Sequence, residues 1–398
     1  MVFVVAARRT PIGRFGGTLR DVHPAELGAV AARAALGDAG VAPEELSYAV
    51  IGHARQAGSG PNPARQVARR TGVPDAVPAH TVNMACASGM EAIAHGARAI
   101  RLGEADLVLA GGIESMSRTP YLIDAADARW GRKMGGFELV DAMYRDGFRC
   151  SLCGLLMGET AELLAREYGI SREASDAFAL ASQRKAARAM ADGAFDAELA
   201  PVPVTPSTGT TVLAADEHPR RDTTAEALAR LAPTFVVDGV AGIVTPGSAS
   251  GITDGSAVVL LASQRAVAAR GLQPLARITG WASAGVDPRR MGIGPVPAVG
   301  KLLAGSGQSL AEFDLVEINE AFAPQVLAVL RDLPVADDAL NVHGGAIALG
   351  HPIGASGTRI VVTLIHALRR RRLRRGLATL CVSGGLGMAM GVEMVSGE

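Results

Sequence analysis

Net charge is missing from this 398-residue chain, in which 39 lysines and arginines are matched by 39 aspartates and glutamates. Without a basic excess, nucleic-acid binding through bulk electrostatics is excluded as a main activity. Long hydrophobic runs are missing too. The best apolar stretches, Ala257 to Ala262 and Ile360 to Ile365, fall far short of the ~18–20 residues that a membrane span needs. Cysteine is scarce, at four residues, which is too few for a disulfide framework. The opening MVFVVAARRTP lacks a signal-peptide core and reads instead as a first β-strand. The closing Ser396-Gly397-Glu398 carries no prenylation, retention or peroxisomal address. A reducing, cytoplasmic setting is expected, with neither nucleic acid nor membrane as a partner.

What the chain does contain is enough apolar material for a sizeable core. Hydrophobic residues reach 48% against 20% charged, which excludes disorder, and the length corresponds to two or three domains at roughly 150 residues each. The 48 glycines and 21 prolines follow no Gly-x-x period, so a collagen-like chain is excluded. Short runs rich in Val, Ile and Leu, at 2–6, 48–52, 106–112, 257–262, 315–318 and 379–385, alternate with helix-period segments. That alternation predicts an α/β fold with buried sheets.

The two halves echo each other. Residues 40–53 align without a gap on 307–320, pairing Gly40 with Gly307, Glu45 with Glu312 and Ile51 with Ile318. Ser88-Gly89 then falls on Ser356-Gly357, each pair opening an amphipathic helix whose following strand runs into glycines, Gly111-Gly112 and Gly384-Gly385. The pattern predicts a duplicated α/β unit, with halves at 1–118 plus 248–270 and at 271–398. Residues 119–247, with Trp130, a Gly135-Gly136 turn, a helical run over 157–195 and the polar TPSTGT segment, read as an inserted loop domain where a ligand would bind.

Four residues stand where chemistry is plausible. Cys86, in VNMACASGMEA, lies at a strand-to-helix junction where free N–H groups and the helix dipole favour a thiolate. His351 sits on the Gly-rich turn GGAIALGHPIGASG, and the repeat makes Gly354 the counterpart of Cys86, which brings the imidazole to the thiol as base to nucleophile. Cys381 ends a strand at a Gly-rich turn, where ligands of α/β sheets collect, and Asn319 ends another at the equivalent edge. Each residue type taken singly also packs inertly or starts a turn.

Several motifs occur in order along almost the whole chain: RTPIGRFGG, VNMACASGMEA, GGIESMS, MGETAE, SGITDGSA, MGIGPVPA, NEAF, GGAIALGHPIGASG and a closing C-x-G-G-x-G. Together they resemble the thiolases, the acetyl-CoA C-acyltransferases. The resemblance implies duplicated α/β halves stacked as α-β-α-β-α layers, and an acyltransferase that performs reversible Claisen condensation or thiolysis of 3-ketoacyl-CoA. Cys86 would carry the acyl group, His351 would accept its proton, and Cys381 would shuttle a proton at the α-carbon. One oxyanion hole would use His351 and an Asn319-held water, the other the N–H groups of Cys86 and Ser383. Arg220, Ser250, Met157 and Phe322 would contact coenzyme A, with Leu156 near the acyl pocket. The resemblance implies acyl-CoA, acetyl-CoA and free coenzyme A as substrates, no permanently bound cofactor or metal, and homodimers or homotetramers.

The chain departs from the family pattern at Ser383, where glycine is usual, at Leu156, where acetoacetyl-specific members have His, and at Ser248 after Pro246, where Asn is usual. A positive φ at Ser383 would cost about 1–2 kcal/mol. Two rival functions follow. A thiolase-like subunit that binds acyl-CoA or a partner without turnover is compatible with Ser383. A decarboxylating β-ketoacyl synthase is disfavoured by Cys381, since that reaction takes no α-proton. Two other signals carry little weight: Cys150-Ser-Leu-Cys153 lacks a second ligand pair for zinc, and RRRRLRR (369–375) closes a predicted helix.

Overall fold

A computed structural model of the chain describes residues 1–205 and 211–395, so TPSTGT beyond Thr205 and the terminal Ser396-Gly397-Glu398 lie outside the described residues. The apolar runs pair into one ten-stranded sheet. Its principal strands are β1 (Val2–Arg9), β2 (Tyr48–His53), β3 (Ala79–Val82), β4 (Leu107–Ser115), β5 (Thr253–Ser263), β6 (Ala276–Gly285), β7 (Leu315–Ile318), β8 (Arg375–Val382) and β9 (Leu386–Met394). Across the sheet the order is β7-β8-β9-β6-β1-β5-β4-β2-β3, with Gly13–Arg14 paired to β5.

The centre of this order explains the internal repeat. β1 and β6 touch through only two residue pairs, Phe3 with Arg277 and Val4 with Ala276. Outward from that junction, β1, β5, β4 and β2 are matched by β6, β9, β8 and β7, and the pairings are antiparallel, antiparallel, parallel on both sides. Strand β4 starts at Leu107 and β8 at Arg375, the same offset that relates Ser88 to Ser356.

Helices α1 (Pro24–Ala39) and α2 (Pro63–Thr71) cover the outer face of the first half-sheet, burying Leu36 and Val67 against Ile51 and Leu109. Between the half-sheets lie α3 (Ser88–Arg101) and α8 (Ile353–Arg371), whose Met90, Ile93, Ile360 and Leu364 share one core with Val108 and Met390. Helices α6 (Pro295–Ser306) and α7 (Ala323–Asp332) close the outer face of the second half-sheet through Val299, Leu302 and Val326. The layers are therefore α-β-α-β-α.

The helical run expected over 157–195 is two helices, α4 (Met157–Glu167) and α5 (Arg172–Ala191). Gly169, at φ 61°, breaks the path, and the Ser171 hydroxyl caps the second helix by accepting from Ala174 N–H. Strands β6 and β9 went unrecognised because ARITGWASAG and LGMAMGVEM lack a β-branched run. The RRRRLRR run does close α8, where Arg372 takes a left-handed φ of 56°. Its guanidinium groups bond to the Asp192 and Asp338 carbonyls and to Glu393. No helix of the described residues is long and apolar enough to cross a membrane.

Candidate active site

Cys86 follows a backbone that is forced into shape. Ala85 takes φ 44°, a conformation that costs an L-residue about 1–2 kcal/mol. The surrounding hydrogen bonds hold it there. Ser88 Oγ donates to the Ala85 carbonyl at 2.7 Å and accepts from Met84 N–H at 2.9 Å, while Asn83 Oδ1 accepts from Ala85 N–H. The corresponding residues of the second half, from Ile353 onward, are already α-helical. One repeat thus presents a helix start and the other a tight 3-10 turn with a thiol on it.

The two turns meet across the middle layer. Glycine is required where they touch, since a Cβ on Gly89 would lie 3.0 Å from the Gly354 carbonyl oxygen, and one on Gly112 of the adjoining strand β4 only 2.1 Å from it. Glu114 fastens the contact by accepting from Gly354 N–H at 2.9 Å while lying 3.0 Å from His53 Nε2. His351 is anchored through its own N–H to the Gly251 carbonyl. Its Nδ1 lies 2.6 Å from Ser356 Oγ, and that hydroxyl donates its single hydrogen to the Pro352 carbonyl at 2.9 Å. Ser356 oxygen therefore accepts from Nδ1–H, which leaves Nε2 as the basic nitrogen.

Burial decides the resting protonation. Desolvation, reinforced by the charges of Arg359 and Arg55, lowers the His351 pKa to about 3, so the imidazole is neutral. Cys86 is also pushed up by burial, although the backbone N–H groups of Ser383 and of Cys86 itself, with the Arg55 charge, act in the opposite direction. Desolvation thus opposes the thiolate expected at Cys86, outweighing the two N–H donors and Arg55, and the site rests as thiol and neutral imidazole. Cys381 is likewise raised, by burial and by the nearby Cys86 sulfur.

Cys381 is buried among Met291, Ala321, Met157 and Phe322, so the residues expected to line a pantetheine tunnel gather around the second thiol. Leu156 precedes α4 as its N-cap, with its N–H donated to Glu159 at 2.6 Å. Asn319 is wholly buried at the end of β7, and neither atom of its side-chain amide has a partner among the described residues. Ser383 does not take a positive φ. Gly384 and Gly385 do, at 91° and 83°, so the strain feared at Ser383 is absent. Ser248 closes the Thr245–Ser248 turn by accepting from Thr245 N–H at 2.9 Å, a bond the smaller side chain makes in place of Asn.

Ser250 and Arg220 lie further out. Ser250 N–H bonds to the Ala321 carbonyl beside Phe322. Arg220 lines a cleft of about 120 Å³ with Gln183, His218, Leu228 and Gly247. The His218 ring presses on Gly251, the residue that anchors His351, so cleft and thiol site share a wall. Sequence reasoning missed Ser356 as the partner of His351, Glu114 as the clasp and Phe235, whose ring meets Phe322 edge to face. Ser356 was visible only as a helix start, and the other two carried no local signal. Cys150 and Cys153 share a turn in which the thiols contact each other. Among the described residues no third His, Cys, Asp or Glu joins them.

A duplicated α-β-α-β-α scaffold with two cysteines and a histidine at the meeting of its halves defines an acyltransferase of the thiolase class. The thiolase N-terminal domain family matches residues 2–265 and the thiolase C-terminal domain family residues 272–394, and the chain belongs to the thiolase family. It is 48% identical over 393 residues to an acetyl-CoA acetyltransferase of Escherichia coli, covering 99% of each chain. It is 49% identical to an acetyl-CoA acetyltransferase of Pseudomonas aeruginosa, covering 98% of each. The human mitochondrial 3-ketoacyl-CoA thiolase superposes with a TM-score of 0.95 at 43% identity over 99% of each chain, and has also been solved in complex with CoA.

Proposed function

We propose that the protein transfers acyl groups between coenzyme A thioesters through a Cys86 acyl-enzyme, condensing acyl-CoA with acetyl-CoA or cleaving 3-ketoacyl-CoA with free coenzyme A. As the Cys86 sulfur attacks the thioester carbonyl, its proton passes to His351 Nε2, which returns it to the departing coenzyme A sulfur. The negative oxygen of that intermediate is met by the N–H groups of Cys86 and Ser383. In the second half-reaction Cys381 gives its proton to His351 Nε2 and takes one from the α-carbon of the entering acetyl group; the resulting enolate attacks the Cys86 acyl carbon, the carbon–sulfur bond to Cys86 breaks, and His351 returns its proton to the released Cys86 sulfur. His351 and an Asn319-held water stabilise the enolate oxygen. Each such donor contributes on the order of 3 kcal/mol to lowering a barrier.

The observation that supports this proposal is the neutral, buried His351 whose Nδ1 lies 2.6 Å from Ser356 Oγ, on the turn that Glu114 fastens to the half of the chain carrying Cys86. A base already protonated, or a nitrogen already bonded, could take no proton from the thiol. Coenzyme A would enter past Arg220, Ser250 and Leu156 and run its pantetheine between Met157 and Phe322. Residues 119–247 form the inserted loop domain in this proposal, between halves at 1–118 plus 248–270 and at 271–398. A cytoplasmic setting belongs to it as well, because both reacting cysteines must stay reduced. So does a homodimer or homotetramer, supported by the exposed Tyr121, Trp130, Met134, Phe137 and Leu139 of that insertion.

Mass spectrometry of the Cys86 peptide tests the proposal. Acetyl-CoA or a 3-ketoacyl-CoA is expected to leave an acyl mass there, abolished by Cys86→Ala. An unmodified Cys86 across several chain lengths would instead favour a binding subunit without turnover, and turnover of a malonyl thioester alone would favour the decarboxylating reaction.

A further inference from the structure

The proposed reaction uses the apolar cluster around Cys381 for pantetheine, and Cys86 packs against a different one. This second cluster is formed by Ala54, Met116, Met143 and Ile353, with Phe148 and Ile252 at its margin. Met143 precedes and Phe148 ends a short π-helical turn, Tyr144–Phe148, which borders this cluster.

Arg55 sits where that cluster ends. It follows Ala54 directly, and its backbone N–H bonds to Glu114, the clasp of the His351 turn. One guanidinium nitrogen donates to the Asp146 carbonyl at 2.9 Å. The group lies flat against Gly147, where an added Cβ would fall 2.6 Å from Nη2. Its Nε is buried with no acceptor, and among the described residues Arg55 forms no salt bridge. Its positive charge nevertheless bears on both Cys86 and His351. A cation close to the reacting sulfur, with an unmet buried donor and a planar fork, is built to receive an oxygen anion from a ligand.

We propose that Arg55 is a specificity residue of the acyl subsite that binds the distal carboxylate of an ω-carboxyacyl thioester, seated between the Cys86 sulfur and the 144–148 turn. This rests on Cys86 being the acyl carrier. In the degradative direction the matching substrate is a 3-oxo-dicarboxylic acyl-CoA, and the carboxylate takes no part in bond making.

Glutaryl-CoA and pentanoyl-CoA have the same carbon count and differ at the chain end only in charge and polarity. Single-turnover acylation of Cys86 by each, followed by mass spectrometry, gives the ratio of kcat/KM values. Wild-type protein is expected to prefer glutaryl-CoA, Arg55→Leu to lower the glutaryl-to-pentanoyl ratio at least tenfold, and Arg55→Lys, which keeps the charge but not the fork, to fall between. An unchanged ratio in a folded Arg55→Leu or Arg55→Lys protein, or a wild type that accepts pentanoyl but not glutaryl groups, overturns the proposal. Absence of acyl mass on Cys86 from either donor and from acetyl-CoA overturns the Cys86 acyl-enzyme itself.

Discussion

The Nδ1 atom of His351 lies 2.6 Å from the Ser356 hydroxyl, five residues further along the same turn and helix start. Because Ser356 donates to the Pro352 carbonyl, its oxygen holds the imidazole in the tautomer whose Nε2 is free. Without that bond the ring can carry its proton on either nitrogen and rotate. Ser356→Ala is expected to slow Cys86 acylation about tenfold to hundredfold with little change in KM. Stopped-flow release of coenzyme A measures it, and an unaltered rate would show that the hydroxyl is dispensable.

Cys381 is buried and its thiol is raised well above the ordinary range by that burial and by Cys86. A proton shuttle for the second half-reaction has no part in the first. Cys381→Ala should therefore keep the Cys86 acyl mass and lose condensation by several orders of magnitude. Equal loss of both half-reactions would remove Cys381 from the proposed role.

Two buried groups set opposing pH dependences. His351 has its pKa lowered to about 3 by burial, so its contribution to stability is complete above the unfolded value near 6.5 and is lost as pH falls toward 3. Glu317 is raised to about 8 by burial, against the opposing charge of Arg359, so its contribution is complete below about 4.5 and is lost as pH rises through 8. Each slope is about 1.4 kcal/mol per pH unit within its window. Denaturant unfolding across pH 5 to 8 should show Glu317→Gln flattening the decline above pH 6.5. Acylation should also lack an acid limb near 6.5, and finding one there would mean that His351 is charged in the resting site.

Gly357 lies where α8 crosses α3, and a Cβ on it would approach Met90 N to 2.6 Å. The obstacle is backbone of the other helix, which no rotamer change relieves. Gly357→Ala is expected to destabilise the fold by about 2–3 kcal/mol, read as a lowered denaturation midpoint at constant slope. A midpoint equal to wild type would argue against so close a crossing.

Trp130 and Met134 are among the most exposed large apolar side chains of the described residues, at 81% and 88%. If they bury on assembly, Trp130→Ser with Met134→Ser should shift sedimentation toward a smaller species. The same mass for both proteins would exclude this surface from any interface.

Much of the scaffold was legible in the sequence because it is periodic. Buried strands announce themselves as Val, Ile and Leu runs, and the duplication shows through one nearly constant offset because both copies must pack the same pair of crossing helices. Cys86, His351, Cys381 and Asn319 could be picked out because each stands at a strand end or helix start, where local backbone geometry already suggests a site. What the chain could not state is which groups burial would neutralise. The helix start argues for a thiolate at Cys86 and the missing glycine for strain at Ser383. Only the packed molecule showed the thiol neutral and the positive φ moved to Gly384 and Gly385. Desolvation and hydrogen bonding depend on neighbours such as Arg55 and Glu114, which are remote from the His351 turn in the chain and meet it only when the two halves close.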